Sequence, residues 1–227
     1  MHDRVFLDFE SFSYFPIEHG ISRYAKHSTT DVICLAYCIG SESGFFVPDY
    51  VCDKLDCPVP LVGAIRSGLE FHAFNSMFEG LIWENICVKR WGWPAIPSDL
   101  WHCTMAKAAY SNLPRGLDKA GRILGLTNEA KLAEGKKLIK ICCIPDKATG
   151  KRNYDPVPLG KLFKYCQQDV VAEIAIDRDT LPVTDLERQI WQLDQKINKT
   201  GVPIDLSLCN GAVKILNVAQ TKANEEI

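Results

Sequence analysis

The chain lacks several things that would have settled its class early. It has no apolar run near 18 residues, so no membrane-spanning helix is expected. No signal peptide is expected either, because Asp3 and Arg4 lead directly into a strand pattern. There are no internal repeats and no low-complexity tract. Net charge is only -2, so the molecule as a whole does not announce a polyanionic partner. Its ten cysteines lack the paired CxxC spacing of a zinc knuckle: Cys34 and Cys38, Cys52 and Cys57, and the adjacent Cys142 and Cys143 are all spaced otherwise. Most sit among apolar neighbours, which reads as small core residues in a reducing, cytoplasmic setting rather than a disulfide framework.

What is present describes an ordinary globular chain, with 47% hydrophobic and 24% charged residues in 227. That length allows one sizeable domain with an appendage, or two small domains. Charge is unevenly spread. From Lys131 to Lys164 there are nine Lys or Arg residues against Glu134, Asp146 and Asp155. Such a stretch either lines a phosphate backbone or is a solvated face.

Residues 4–9 read as a strand with Val5, Leu7 and Phe9 on its core face. DVICLAYCI (31–39) suits an inner strand, and GFFVP offers a shorter neighbour, a three-strand start joined by hairpins. LEFHAFN suggests a strand ending near Phe74. Asn75 is then placed to open a helix through MFEGLIWENICVKRW that stops at WGWP. DLWHCTMAKAAY reads as helical, LDKAGRILGL as a short helix closed by Gly125, and 130–141 as a lysine-rich amphipathic segment. After the loop IPDKATGKRNYDPVP comes the longest helix, LGKLFKYCQQDVVAEIAIDRDTL. Beyond Pro182 the character changes. Thr184 and Glu187 make a capping-box start for a helix closed by Gly201, and a last helix follows. The expected division is 1–182 and 183–227. The second part looks cut from something longer, or in need of a partner.

In RVFLDFES a strand puts Asp8 and Glu10 on one face, opposite Val5, Leu7 and Phe9. Two acids held side by side repel and call for a cation, and hard oxygen donors suit Mg²⁺ or Mn²⁺ better than zinc. In YCQQDVVAE, Tyr165 and Asp169 are four apart and share a helix face. Glu173 continues that face and reads equally well as a solvated carboxylate. In HAFNSMFE, Asn75 and Glu79 share an edge one turn apart. Each of these pieces taken alone also has an ordinary core or surface reading.

Taken together, DFES, HAFNSMFE and YCQQDV resemble the three motifs of the DEDD 3'-5' exonucleases, in the subclass with a tyrosine in the third. More narrowly the chain resembles the proofreading domain of phage and bacterial family A DNA polymerases. WENI, HCTMAKAAYSNLPRGLDKAG, EGKKLIK and LDQKINKTGVPID extend the resemblance over nearly the whole chain. It implies an α/β, ribonuclease H-like mixed five-stranded sheet flanked by helices, with a C-terminal helical extension that starts a polymerase thumb and palm. It also implies two Mg²⁺ or Mn²⁺ ions held by Asp8, Glu10, Asp169 and Glu79, with Tyr165 orienting the attacking water and the scissile phosphate. The reaction implied is hydrolysis of phosphodiester bonds from a 3' end, releasing nucleoside 5'-monophosphates. The class usually has aspartate where this chain has Glu79; in the phage group glutamate is common. The longer side chain favours ligation through water.

The implied partners are a single-stranded DNA 3' end and a polymerase domain, in cis or as a separate subunit. The isolated chain is expected to be monomeric and to work in the cytoplasm, that of the host if phage-encoded. Candidate DNA contacts are Asn75 at the terminal nucleotide, Phe12 and Phe74 as stacking or wedge residues, and Lys136, Lys137, Lys140, Lys151 and Arg152 at phosphates. Two other readings stand beside this one. One is an exonuclease-like module that only braces a polymerase or clasps DNA; the other is a free-standing DNA or RNA trimming exonuclease.

Overall fold

The computed structural model describes residues 4–126 and 135–225. The chain divides into two compact units, Met1–Glu187 and Arg188–Ile227. The first is built on strands β1 (Val5–Phe12), β2 (Asp31–Ile39), β3 (Glu42–Phe46), β4 (Phe71–Ala73) and β5 (Trp101–Cys103). Its short helices are α1 (Ile21–Lys26), α2 (Val59–Arg66), α3 (Ser76–Ile82), α4 (Lys89–Trp91), α5 (Thr104–Tyr110), α6 (Leu117–Ile123) and α7 (Gly135–Cys142). The long α8 (Pro156–Asp179) follows, and then α9 (Asp185–Thr200) and α10 (Leu206–Glu225) form the C-terminal helical extension.

The five strands make one sheet in the order β3-β2-β1-β4-β5. β1 pairs antiparallel with β2 and parallel with β4, while β2–β3 is antiparallel and β4–β5 parallel. This is the mixed, ribonuclease H-like α/β sheet that the motifs imply. β1 lies at its centre, and both its faces are covered. Val5, Leu7 and Phe9 pack in one cluster with Ile82, Trp83 and Ile86. Phe6, on the other face, packs with Cys34, Ala36, Cys38, Cys166 and Val170 beneath α8. The acid-bearing face of β1 is therefore a second core surface, filled by small side chains: Asp8 lies opposite Ala36 and Glu10 opposite Cys34.

Several sequence expectations change in detail. β1 runs on to Phe12, with an irregular register after Glu10. Only β2 and β3 form a tight hairpin; β1 reaches β2 through residues 13–30, which hold α1. The expected helix from Asn75 does begin at Ser76, but Asn75 makes no side-chain cap, and the helix passes through a π-helical stretch, Trp83–Val88, before α4. In DLWHCTMAKAAY the first two residues close a 3-10 turn, Ser98–Leu100, WHC is a strand added to the edge of β4, and the α-helix is confined to Thr104–Tyr110. α8 starts at Pro156, earlier than expected, because the Asp155 side chain accepts a hydrogen bond from the Val157 amide and proline suits the first helical turn. Of the expected capping box the structure shows the Thr184 half: Thr184 Oγ1 accepts from the Glu187 amide at 3.3 Å. Of the lysine-rich segment, residues 130–134 lie outside the described residues, and α7 is its described part.

Among the described residues no helix is long and apolar enough to cross a membrane. Cys34, Cys38, Cys87, Cys142, Cys143 and Cys166 are buried, as small core residues should be, whereas Cys52 and Cys209 are exposed.

Leu7 is completely buried at the centre of the sheet. Leu7→Ala is expected to cost about 2–5 kcal/mol, read as a lower urea midpoint at unchanged slope. A midpoint equal to the parent's would contradict the placement of β1 at the centre of the core.

Candidate metal centre

The site grows from two rigid elements that cross. β1 carries Asp8 and Glu10 on its α8-facing side, and α8 lays Tyr165, Asp169, Glu173 and Asp177, each four residues after the last, along one stripe against the sheet. All four are buried. A thiol fastens the crossing, with Cys166 Sγ donating to the Asp8 carbonyl at 3.3 Å. The result is a triad: one carboxylate oxygen from each of Asp8, Glu10 and Asp169 falls within 4.8 Å of the others. Glu10 Oε2 also accepts a hydrogen bond from Cys143 Sγ at 3.5 Å. Three carboxylates at this spacing could hold a hard divalent cation, and their oxygens suit Mg²⁺ or Mn²⁺.

Glu79 is buried on α3 and outside that triad, although it lies in the field of Asp8. Its carboxyl is pushed well above the ordinary range, first by burial and then by the charges of Asp8, Glu173 and Glu10. Its Oε2 makes no hydrogen bond among the described residues. Glu173 is not the solvated carboxylate that the pattern allowed. It is buried, it accepts a hydrogen bond from Thr104 Oγ1 at 2.7 Å, and burial raises its pKa strongly, followed by Asp8, Asp177 and Asp169. At the far end of the stripe Asp177 meets Arg4 at 3.0 Å and Lys107 at 2.7 Å.

Tyr165 is fully buried among Phe12, Ile33, Leu138, Cys142 and Leu162. α7 closes over it so tightly that a Cβ at Gly135 would overlap the Tyr165 ring. Phe12 belongs to the same cluster, with the Arg152 guanidinium 5.1 Å over its face, so it packs internally instead of offering a ring to a base. Phe74 is half-buried against Ala108, Leu117 and Ile176, and Asn75 is half-buried ahead of α3. Lys137, Lys140 and Lys151 are exposed, whereas Arg152 is drawn in toward Phe12, Tyr154 and Asp31. The Lys136 side chain lies outside the described residues.

Sequence reasoning missed the Thr104–Glu173 and Cys143–Glu10 contacts, which join residues 69 and 133 apart. It also missed Glu70, His72 and His102, whose ligand atoms come within 4.8 Å of one another. A signal existed: Glu70 and His72 alternate in a strand pattern, and His102 joins them once WHC is read as a strand.

The raised acids give a pH signature. A carboxyl whose folded pKa is raised stabilises most below its unfolded value, here about 4.5, and this stability is lost as pH rises through the folded pKa. In EDTA, unfolding free energy is therefore expected to fall as pH climbs above 4.5, by up to ~1.4 kcal/mol per pH unit for each group. Glu79→Gln should flatten that slope in urea titrations; an unchanged slope would contradict the burial of Glu79. Separately, Thr104→Val should cost roughly 1–3 kcal/mol by stranding Glu173, and a neutral result would refute that hydrogen bond.

No family model matches the chain. Over 219 residues, 91% of this chain, it is 31% identical to a DNA polymerase of Bacillus phage SP02. The match takes in 33% of that polymerase, so the chain spans about a third of the length of this relative. It is related in sequence to a phage DNA polymerase.

Proposed function

We propose that the chain is a metal-dependent 3'-5' exonuclease that trims single-stranded or frayed, mismatched DNA ends, the proofreading part of a phage-type DNA polymerase. Residues 1–182 would be the exonuclease domain and 183–227 the lead into the polymerase thumb and palm, carried in cis or as a separate subunit. The observation that carries this reading is the triad of Asp8, Glu10 and Asp169 on a central strand and a long helix. The similarity to a phage polymerase supplies the context.

Bound between these carboxylates, two Mg²⁺ or Mn²⁺ ions would supply a water of lowered pKa and stabilise charge on the leaving 3' oxygen. The residues themselves position. Asp8 and Glu10 are fixed by the strand at the middle of the sheet, and Asp169 by the buried face of α8, so little entropy remains to be lost when substrate arrives. Tyr165, one turn before Asp169, would donate its hydroxyl proton in a hydrogen bond to the water or the phosphate. Glu79, beyond the triad, fits ligation through water. Lys137, Lys140 and Lys151 present exposed charge for the DNA backbone.

The direct experiment incubates the chain with 3'-mismatched, labelled single-stranded DNA and Mg²⁺ or Mn²⁺, with an RNA strand in parallel. Stepwise release of 5'-monophosphates is expected, abolished by EDTA and lowered at least about a hundredfold in Asp8→Asn/Glu10→Gln. Tight binding without cleavage in either metal would instead identify a bracing module. Faster loss from RNA would favour a free-standing trimming enzyme. Replacing Lys137, Lys140 and Lys151 by alanine should weaken binding of any sequence and lower the log–log salt slope by roughly 0.7 per lost contact; an unchanged slope would remove them from the DNA path.

A further inference from the structure

β4 and β5 lie side by side in parallel register, with His72 directly across from His102. Their rings stack at 4.7 Å with 16° between planes, and Phe6 on the next strand flanks His72 at 4.8 Å. Glu70, two residues before His72, turns its carboxylate to both: Oε2 is 3.3 Å from His72 Nε2 and Oε1 is 3.5 Å from His102 Nε2. Two ligands at 2.0–2.1 Å from a tetrahedral ion stand roughly 3.3 Å apart. The two separations, measured to different oxygens of Glu70, lie near that edge, and one ligand atom from each of the three residues falls within 4.8 Å of the others. The opposite nitrogen of His72, Nδ1, looks toward Asp177 Oδ1 at 3.9 Å, and Asp177 is itself held by Arg4 and Lys107. A carboxylate behind a ligating imidazole is the usual means of fixing its tautomer.

We propose that Glu70, His72 and His102 form a second metal site, for a borderline transition ion such as Zn²⁺, distinct in donor chemistry from the all-carboxylate triad. Two imidazoles and one carboxylate select against Mg²⁺. Arg4 Nε lies 3.5 Å from Glu70 Oε2 while its Nη1 holds Asp177 Oδ2 at 3.0 Å, so an ion bound by Glu70 would replace the Nε contact and leave the Asp177 contact in place. The Glu70 side chain is 37% and that of His102 19% exposed, while the His102 Nε2 atom itself is buried. An ion there would clip the three-residue edge strand β5 to β4, just before Thr104, the residue that holds Glu173.

This inference does not depend on the exonuclease reading, and its test needs no substrate. The metal-stripped full chain is titrated with Co²⁺ and followed by visible absorption, beside His102→Ala, Glu70→Gln and Asp8→Asn/Glu10→Gln, each checked for folding by far-UV circular dichroism. The site predicts an intense tetrahedral band saturating at one equivalent, displaced by equimolar Zn²⁺ and untouched by excess Mg²⁺. The band should persist in Asp8→Asn/Glu10→Gln and bind at least about tenfold more weakly in folded His102→Ala and Glu70→Gln. No band in the parent chain, a band unchanged in both ligand variants, or a thiolate charge-transfer feature placing the ion on cysteine would each overturn it.

Discussion

Asp8, Glu10, Asp169, Glu79 and Glu173 are held on three elements, β1, α3 and α8, within range of one another's fields, at a place where side chains are almost wholly removed from water. Burial of a carboxyl disfavours its charged form, and a neighbouring carboxylate adds to the penalty. Glu79 and Glu173 show the consequence, with both effects raising their pKa. A chain gains nothing in stability from such an arrangement. It persists because the packing around it is strong enough to hold it: β1 covered on both faces, α8 fastened across it through Cys166, and Tyr165 sealed under α7 by Gly135.

The stripe along α8 organises this packing. Its four polar residues occupy the helix face that would otherwise be most apolar. At one end Tyr165 and Asp169 meet the acids of β1. In the middle Thr104 reaches up from the start of α5 to Glu173, and at the far end Arg4 and Lys107 hold Asp177. These contacts tie α8 to β1, to the residue just before β1, and to α5. The alignment of Asp169 with Asp8 and Glu10 thus rests on residues one and two helical turns away, and the proposed metal site of Glu70, His72 and His102 sits beside the last of them.

Much of the site was legible in the sequence because its signals are local. The alternation in RVFLDFES puts both acids on one face, and the four-residue spacing in YCQQD puts Tyr165 beside Asp169; neither needs knowledge of a partner. The edge strand was not legible. WHC is only three residues long, is followed at once by helix formers, and becomes a strand because β4 offers it an edge. Strand preference of that kind is set by neighbours more than by the residues themselves. Mistaking it for helix hid His102 from His72. The surroundings of Phe12 and Arg152 were not legible for a similar reason: an aromatic near acids and an arginine in a basic run suggest DNA contacts, and nothing local shows that the guanidinium lies over the Phe12 ring and beside Tyr154 and Asp31. Glu173 looked solvated because its partner, Thr104, lies 69 residues away.

The proposed function turns on whether the β1–α8 crossing holds catalytic ions. The most direct measurement is a crystal structure of the chain with Mn²⁺ and a short single strand, read by anomalous scattering at the manganese edge. Two peaks are expected between Asp8, Glu10 and Asp169, with the terminal phosphate against them and the Tyr165 hydroxyl within hydrogen-bond reach. A strand bound without anomalous density at those carboxylates, or manganese lodged elsewhere while the triad stays without it, would contradict it.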